Sequence, residues 1–410
     1  MTAAASTAPK TVMPSIQWLR AVAAMMVVLH HANYHTNALR QYLGEAAQEL
    51  LGFSSWWFGI HIFFLVSGFI MIHVTRNFGE PGAWRQFLAR RLVRVIPLYW
   101  LVTTITVIGL IVAPQSFDIT TDKVSYVLKS YAFIPVLRSA GDPRPMVGQG
   151  WTLNYEMFFY AAFALATLAP RRVGVGAISA LFVVLVFLGR NLDFSTPILF
   201  TWTDGLLLEF LFGVYIGLAF EKGWRLPGWA GALSITAGTI LVILNFQGPT
   251  FITSGIPAAL IVCGFVLGPS LRETAATRWL THLGDASYSL YLTHTFALRP
   301  LEKCWQAVIG DHAPAWTFLV TATLLAVAIG LLTYRLLERP MTRYLQNRLA
   351  ARSGRSLNAV PEHAALCLGP SDDASMRRAV PRNRLLPSKG SPGSVSSRLR
   401  PLRSANVDAP

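Results

Sequence analysis

The stretch SIQWLRAVAAMMVVLHHANY, residues 15–34, decides how the rest of the chain is read. It is apolar enough to enter a bilayer, yet it carries Arg20 near one end and His30 and His31 near the other. A charged side chain at the centre of a membrane helix costs about 3 kcal/mol on insertion scales, so it faces a polar cavity or a partner. Arg20 and His31 are eleven residues apart, which at about 100° per residue is about three turns plus 20°. The spacing therefore predicts one helical stripe holding both, roughly 16 Å apart along the axis. His30 falls about 80° off that stripe. Geometry nominates His31, not His30, as the group sharing a cavity with Arg20. A plainer account makes the histidines interfacial and lets Arg20 snorkel to the head groups.

Working outward, the composition is that of a membrane protein, with 53% hydrophobic and only 13% charged residues. An all-α integral membrane protein is predicted, with about ten transmembrane helices in one bundle: 15–33, 55–75, 92–113, 151–168, 173–189, 205–221, 230–246, 252–268, 283–299 and 316–336. Orientation follows from the basic residues. With the N-terminus inside, sixteen Lys and Arg before the tail fall on the inner side and eight on the outer. Both termini are therefore expected in the cytoplasm. That distribution also accounts for the net charge of +15 without a nucleic-acid partner. Residues 1–14 read as a disordered cytoplasmic end, 15–345 as the transmembrane domain and 346–410 as a disordered basic tail. A cleaved signal peptide is not expected, because no small-residue cleavage site follows the first apolar run. The tail holds enough Arg and Lys to touch anionic lipid heads, so membrane lipids are expected partners. Three scattered cysteines, Cys263, Cys304 and Cys367, suggest neither a disulfide framework nor a metal site. His31 and His35 have i, i+4 spacing, but His35 is expected beyond the helix end, so no metal is predicted.

Several further polar residues fall within the apolar spans. HIFFLVSGFIM places His61 near one end of the second span, with Ser67 and Gly68 at its middle. In WRQFLARRLVRVIPLYW, Arg90, Arg91 and Arg94 are topology signals, and Arg91 and Arg94, three apart at a helix start, can face one anionic group. Guanidinium pairs suit phosphates through bidentate hydrogen bonds. GQGWTLNYEMFFY puts Glu156 about two turns into the fourth span and Tyr160 one turn further. Glu209 in LLLEFLFG is another intramembrane acid. In LGDASYSLYLTHTFAL, Asp285, Tyr288 and His294 are read on one helix. Arginines thus collect towards the cytoplasmic face, and histidines with Glu156 towards the outer half. An enzyme drawing an anionic donor from the cytoplasm and serving an outward acceptor needs that polarity. A histidine beside a carboxylate is a competent general base. Interhelical hydrogen bonding is the plainer role for each of these residues.

The order of motifs resembles the acyltransferase 3 family of bacterial inner-membrane acyltransferases, and within it the branch that acetylates exopolysaccharides. The resemblance rests on QWLRAVAAMMVVLHH, FFLVSGF, RRLVRVIPLYW, WTLNYEMFFY, LEFLFG, GDASYSLYLTH and YRLLERP, and covers residues 16 to about 345. It implies transfer of an acyl group, usually acetyl, from acyl-CoA as co-substrate to a carbohydrate hydroxyl, with no tightly bound cofactor. It implies that Arg20 and His31 are the essential pair of the first helix. Arg91 and Arg94, with Arg90 as a further candidate, correspond to the cytoplasmic arginine pair, and Glu156 to the acid of the fourth-span motif. Thr152 replaces a common serine and His30 a common tyrosine. The acceptor implied is an exopolysaccharide or lipid-linked oligosaccharide. A transporter or flippase for a glycan or lipid-linked sugar would share the helix count and the buried charges. That class predicts paired halves with broken helices, and the chain has no internal repeat.

Overall fold

The computed structural model describes residues 13–49, 56–117, 119–139, 142–310 and 312–352. Both terminal segments expected to be disordered lie outside these residues, except for Met13, Pro14 and 346–352. Among the described residues every regular element is a helix. Five stretches are long and apolar enough to cross a membrane: Trp56–Val74, Ala83–Val112, Arg171–Asn191, Pro197–Glu221 and Ala315–Ala351. Gly228–Leu244 and Phe251–Leu267 are apolar but shorter. The other three expected spans are also helical, Pro14–Tyr42, Trp151–Ala166 and Ser287–Val308, and these carry much of the polar site.

Several expected boundaries move. Helix α1, Pro14–Tyr42, runs well past 33, so His35 lies inside it, with its Nδ1 2.5 Å from a Glu302 oxygen. Its 29 residues span about 43 Å. The much shorter α2, Gly59–Val74, follows with 16 residues. The third helix, α3, starts at Ala83 rather than 92 and reaches Val112. Arg85, Arg90, Arg91 and Arg94 are thus all helical, and Arg91 and Arg94 lie more than two turns inside α3 rather than at its start. The cause is that straight-chain arginines are good helix formers even where hydropathy drops. The long segment 114–150 is partly regular, with α4 at Lys123–Tyr131. It is pinned to α3, since Tyr99 donates to the Ser130 carbonyl (2.9 Å) and Trp100 to that of Tyr131 (3.0 Å).

Next come α5 (Trp151–Ala166), α6 (Arg171–Asn191), the short α7 (Pro197–Trp202) and α8 (Leu206–Glu221). Helices α9 (Gly228–Leu244) and α10 (Ile256–Leu267) form a pair. The span expected at 283–299 is broken at Ala286 into α11 (Arg278–Asp285) and α12 (Ser287–Val308). Asp285 therefore ends a separate helix. Close packing accompanies the break: a Cβ at Gly284 would lie 2.1 Å from the Gln17 carbonyl oxygen of α1. The chain closes with α13 (Ala315–Thr333), a wide turn over Tyr334–Glu338, and α14 (Arg339–Arg352), which extends into the segment read as tail.

Helices α2 and α8 form the tightest pair. A Cβ on Gly68 would sit 2.0 Å from the Phe210 carbonyl oxygen, and one on Gly213 1.9 Å from that of Leu65. Glycine at both places lets the two backbones touch, the small-residue packing that membrane helices use in place of a hydrophobic driving force.

Candidate active site

Helices α1, α2, α3, α5 and α12 surround one cavity of about 790 Å³, its open mouth included. Its wall runs along α2 from Ile60 to Met71, eleven residues or about 16 Å of helix. Arg20, Arg91 and Arg94 reach the wall against the single carboxylate of Glu156. The lining is therefore net positive and suited to an anion. Arg20 and Arg91 are almost wholly buried. Arg20 donates to Gln17 Oε1 (3.0 Å), a bond one helical turn back. Arg20 and Arg94 also lie in the field of two buried acids, Asp285 and Glu338. Glu338 accepts from the Ser289 hydroxyl at 2.5 Å. Arg90 is not part of the wall.

Glu156 is held from two sides. Ser67 Oγ donates to its Oε1 at 2.8 Å, and the Tyr160 hydroxyl donates to the same oxygen. Neither bond joins Glu156 to a histidine. His31 is tied instead to its own helix, its Nδ1 2.9 Å from the Val27 carbonyl oxygen. A carbonyl only accepts, so Nδ1 carries the proton and Nε2 is the basic atom. His31 is not on the cavity wall; its ring meets that of His294 of α12 at a tilted angle, with a centroid distance of 4.8 Å. Tyr291 joins the two places: it lines the cavity, and its ring is 6.3 Å from that of His294. Its hydroxyl is shared with Thr152 Oγ1 at 2.7 Å, so the threonine keeps the function a serine hydroxyl would have there. Tyr288 also lines the cavity and donates to the Val95 carbonyl at 2.7 Å.

The remaining candidates are not on the wall. His61 and Glu209 are fully buried and bonded to each other, with Nδ1 2.8 and 2.9 Å from the two carboxylate oxygens. Glu338, in YRLLERP, went unassigned in the sequence. Its only local signal was an acid at the end of an apolar run. Among the described residues no group of three His, Cys, Asp or Glu is placed to hold a metal ion.

The acyltransferase domain model, acyltransferase 3, matches residues 13–335. The exopolysaccharide production protein ExoZ of Rhizobium meliloti is 37% identical over 293 residues, 70% of this chain and 89% of that protein. The peptidoglycan O-acetyltransferase OatA of Listeria monocytogenes is 22% identical over 385 residues, 80% of this chain and 56% of that protein. The putative peptidoglycan O-acetyltransferase YrhL of Bacillus subtilis is 22% identical over 371 residues, 80% and 54%. The chain thus spans about half the length of these two peptidoglycan relatives. No solved structure matches it. A bundle of apolar helices around a cationic cavity, with this family match, defines a multi-pass membrane enzyme of acyl transfer. The chain belongs to the acyltransferase 3 family.

Proposed function

We propose that the protein moves an acyl group, acetyl as the working case, from acyl-CoA to a hydroxyl of an exported or cell-surface polysaccharide. The observation that carries this reading is the polarity of the cavity. Arg91, Arg94 and Arg20 gather towards one end, and Tyr291 at the other leads to His31 and His294. Arg91 and Arg94 would take the CoA phosphates, and Arg20, a further cation at that end of the cavity, would pair with the anionic donor there. His31 Nε2 would accept the proton of the sugar hydroxyl and return it to the leaving thiolate. Glu156, held by Ser67 and Tyr160, would fix the wall beside the thioester. The acceptor class is favoured by the likeness to the exopolysaccharide production protein. We read the ten apolar stretches expected from the sequence as ten spans of the bacterial inner membrane, with both ends in the cytoplasm, so that the arginines face the CoA pool. The test is purified protein in detergent with acetyl-CoA and a panel of glycans. CoA release without any acylated glycan would defeat this acceptor.

Arg91→Ala and Arg94→Ala are each expected to raise the KM for acyl-CoA about 10- to 100-fold, the worth of a hydrogen bond to a charged group. Turnover at saturation should hold, because phosphate contacts persist unchanged from ground state to transition state. An unaltered KM, with inverted topology in reporter fusions, would leave the arginines as topology signals only.

Residues 353–410 follow the last described helix and lie beyond the family match. We read them as a lipid-touching tail without a part in the chemistry. Removing them should leave O-acylation in cells unchanged at matched protein levels. Their basic residues contribute roughly 1 kcal/mol each near an anionic surface, which affects placement only. Loss of activity in an inserted, detergent-soluble truncation would give the tail a role in the reaction.

A further inference from the structure

His294 is fully buried, and its Nδ1 lies 3.1 Å from the Leu290 carbonyl oxygen of its own helix. By the same reasoning as for His31, the proton sits on Nδ1 and Nε2 keeps a lone pair. That Nε2 is buried and meets no partner among the described residues. A buried acceptor left unpaired costs roughly 1–3 kcal/mol. His31 repeats the arrangement against Val27, and the two rings meet at 4.8 Å and 59°. In both, the Nδ1 edge is tied to the ring's own helix, so the distal Nε2 edge turns away from it. The nearest acid on these two helices, Glu302, is engaged one turn beyond His31 by His35. The His–carboxylate ion pairs among the described residues involve His35, His61 and His73, not His31 or His294.

Two adjacent acceptors call for two adjacent donors. A single hydroxyl has one proton and serves only one of them. Neighbouring hydroxyls on a sugar ring serve both. We propose that the His31–His294 pair reads a diol: one hydroxyl donates to His31 and attacks the acyl carbon, and its neighbour donates to His294 Nε2. This rests on the acceptor being a carbohydrate hydroxyl, as proposed above. In the step, His31 Nε2 takes the attacking hydroxyl's proton, the ester C–O bond forms and the thioester C–S bond breaks. The thiolate then receives that proton from His31. His294 keeps its tautomer and holds the second hydroxyl, so it selects sugars with a free hydroxyl beside the acylated one.

The test uses the full-length protein in detergent with acetyl-CoA, and methyl glycosides paired with their monodeoxy analogues. Wild type is expected to lose about tenfold or more in kcat/KM when the hydroxyl beside the acylated one is replaced by hydrogen. His294→Ala should lower kcat/KM for the parent sugar by a similar factor and bring parent and deoxy sugar level, as in a double-mutant cycle. His294→Gln, whose amide oxygen can still accept, should restore part of the discrimination. A His294 that only supports the fold would slow both acceptors alike and leave their ratio as in wild type, which overturns the proposal. Equal wild-type rates on parent and all deoxy sugars overturn it without any variant, and mean that the pair holds water only. Wild-type consumption of acetyl-CoA with no glycoside acylated is the separate failure of the carbohydrate reading itself, and takes this inference with it.

Discussion

Replacing His31 with alanine is expected to cut acyl transfer about 10²- to 10⁴-fold, the usual contribution of a general base. The protein should still insert and accumulate, because His31 is partly exposed and makes one hydrogen bond, to its own helix. That bond is what makes the ring useful: with Nδ1 committed to the Val27 carbonyl, Nε2 is presented as a base without needing a carboxylate. His30 packs edge-on against it at 5.2 Å but falls off the stripe that leads down to Arg20. His30→Ala should therefore be far milder. The comparison needs only the O-acetyl content of the polysaccharide beside a membrane immunoblot. Equal losses from both variants would remove the reason for preferring His31.

Glu209→Ala should have the largest effect on stability, about 3–5 kcal/mol, the cost of removing one partner from a fully buried pair. Neither His61 nor Glu209 is exposed, and Gly255 presses on the carboxylate, so a Cβ there would lie 3.2 Å from Oε1. Water has no easy way to replace the lost partner. The pair bridges α2 and α8, whose backbones already touch at Gly68 and Gly213. Removing both polar groups together, as His61→Leu with Glu209→Met, should recover most of the loss, since hydrophobic residues often substitute for a buried pair without cost. Denaturation of the detergent-solubilised variants reads both effects. A double variant that is stable yet inactive would move this pair from packing into the chemistry.

What could be read directly from the chain was whatever a single helix determines. Apolar composition and the motif order sufficed for an all-helical membrane acyltransferase, because spans of this length have few other ways to satisfy their backbone in lipid. The Arg20–His31 stripe was a reading of the same local kind, since helical periodicity assigns each residue a face. The cavity lined by Arg20 does not include His31 in its wall, so the shared cavity expected from the spacing is not what the packing makes. Even the Glu156–Tyr160 bond, one turn apart, was within reach of that argument. Hydropathy could not place the start of α3 or the break at Ala286, since arginines extend a helix and a glycine contact can accompany its end.

Which faces meet was a matter for the tertiary structure alone. Ser67 and Glu156 are 89 residues apart, His61 and Glu209 148 apart. His31 and His294 lie on the first and twelfth helices. In the sequence each was an isolated polar residue in an apolar run, and a carboxylate near a histidine in topology looked like its partner. Close packing decided otherwise. Glycines bring α2 against α8, carrying His61 to Glu209, while Glu156 bonds directly to Ser67 on the cavity wall and the two histidines are left to each other. A helix's period says which side a residue is on, but only the fit of backbones and side chains says what stands opposite.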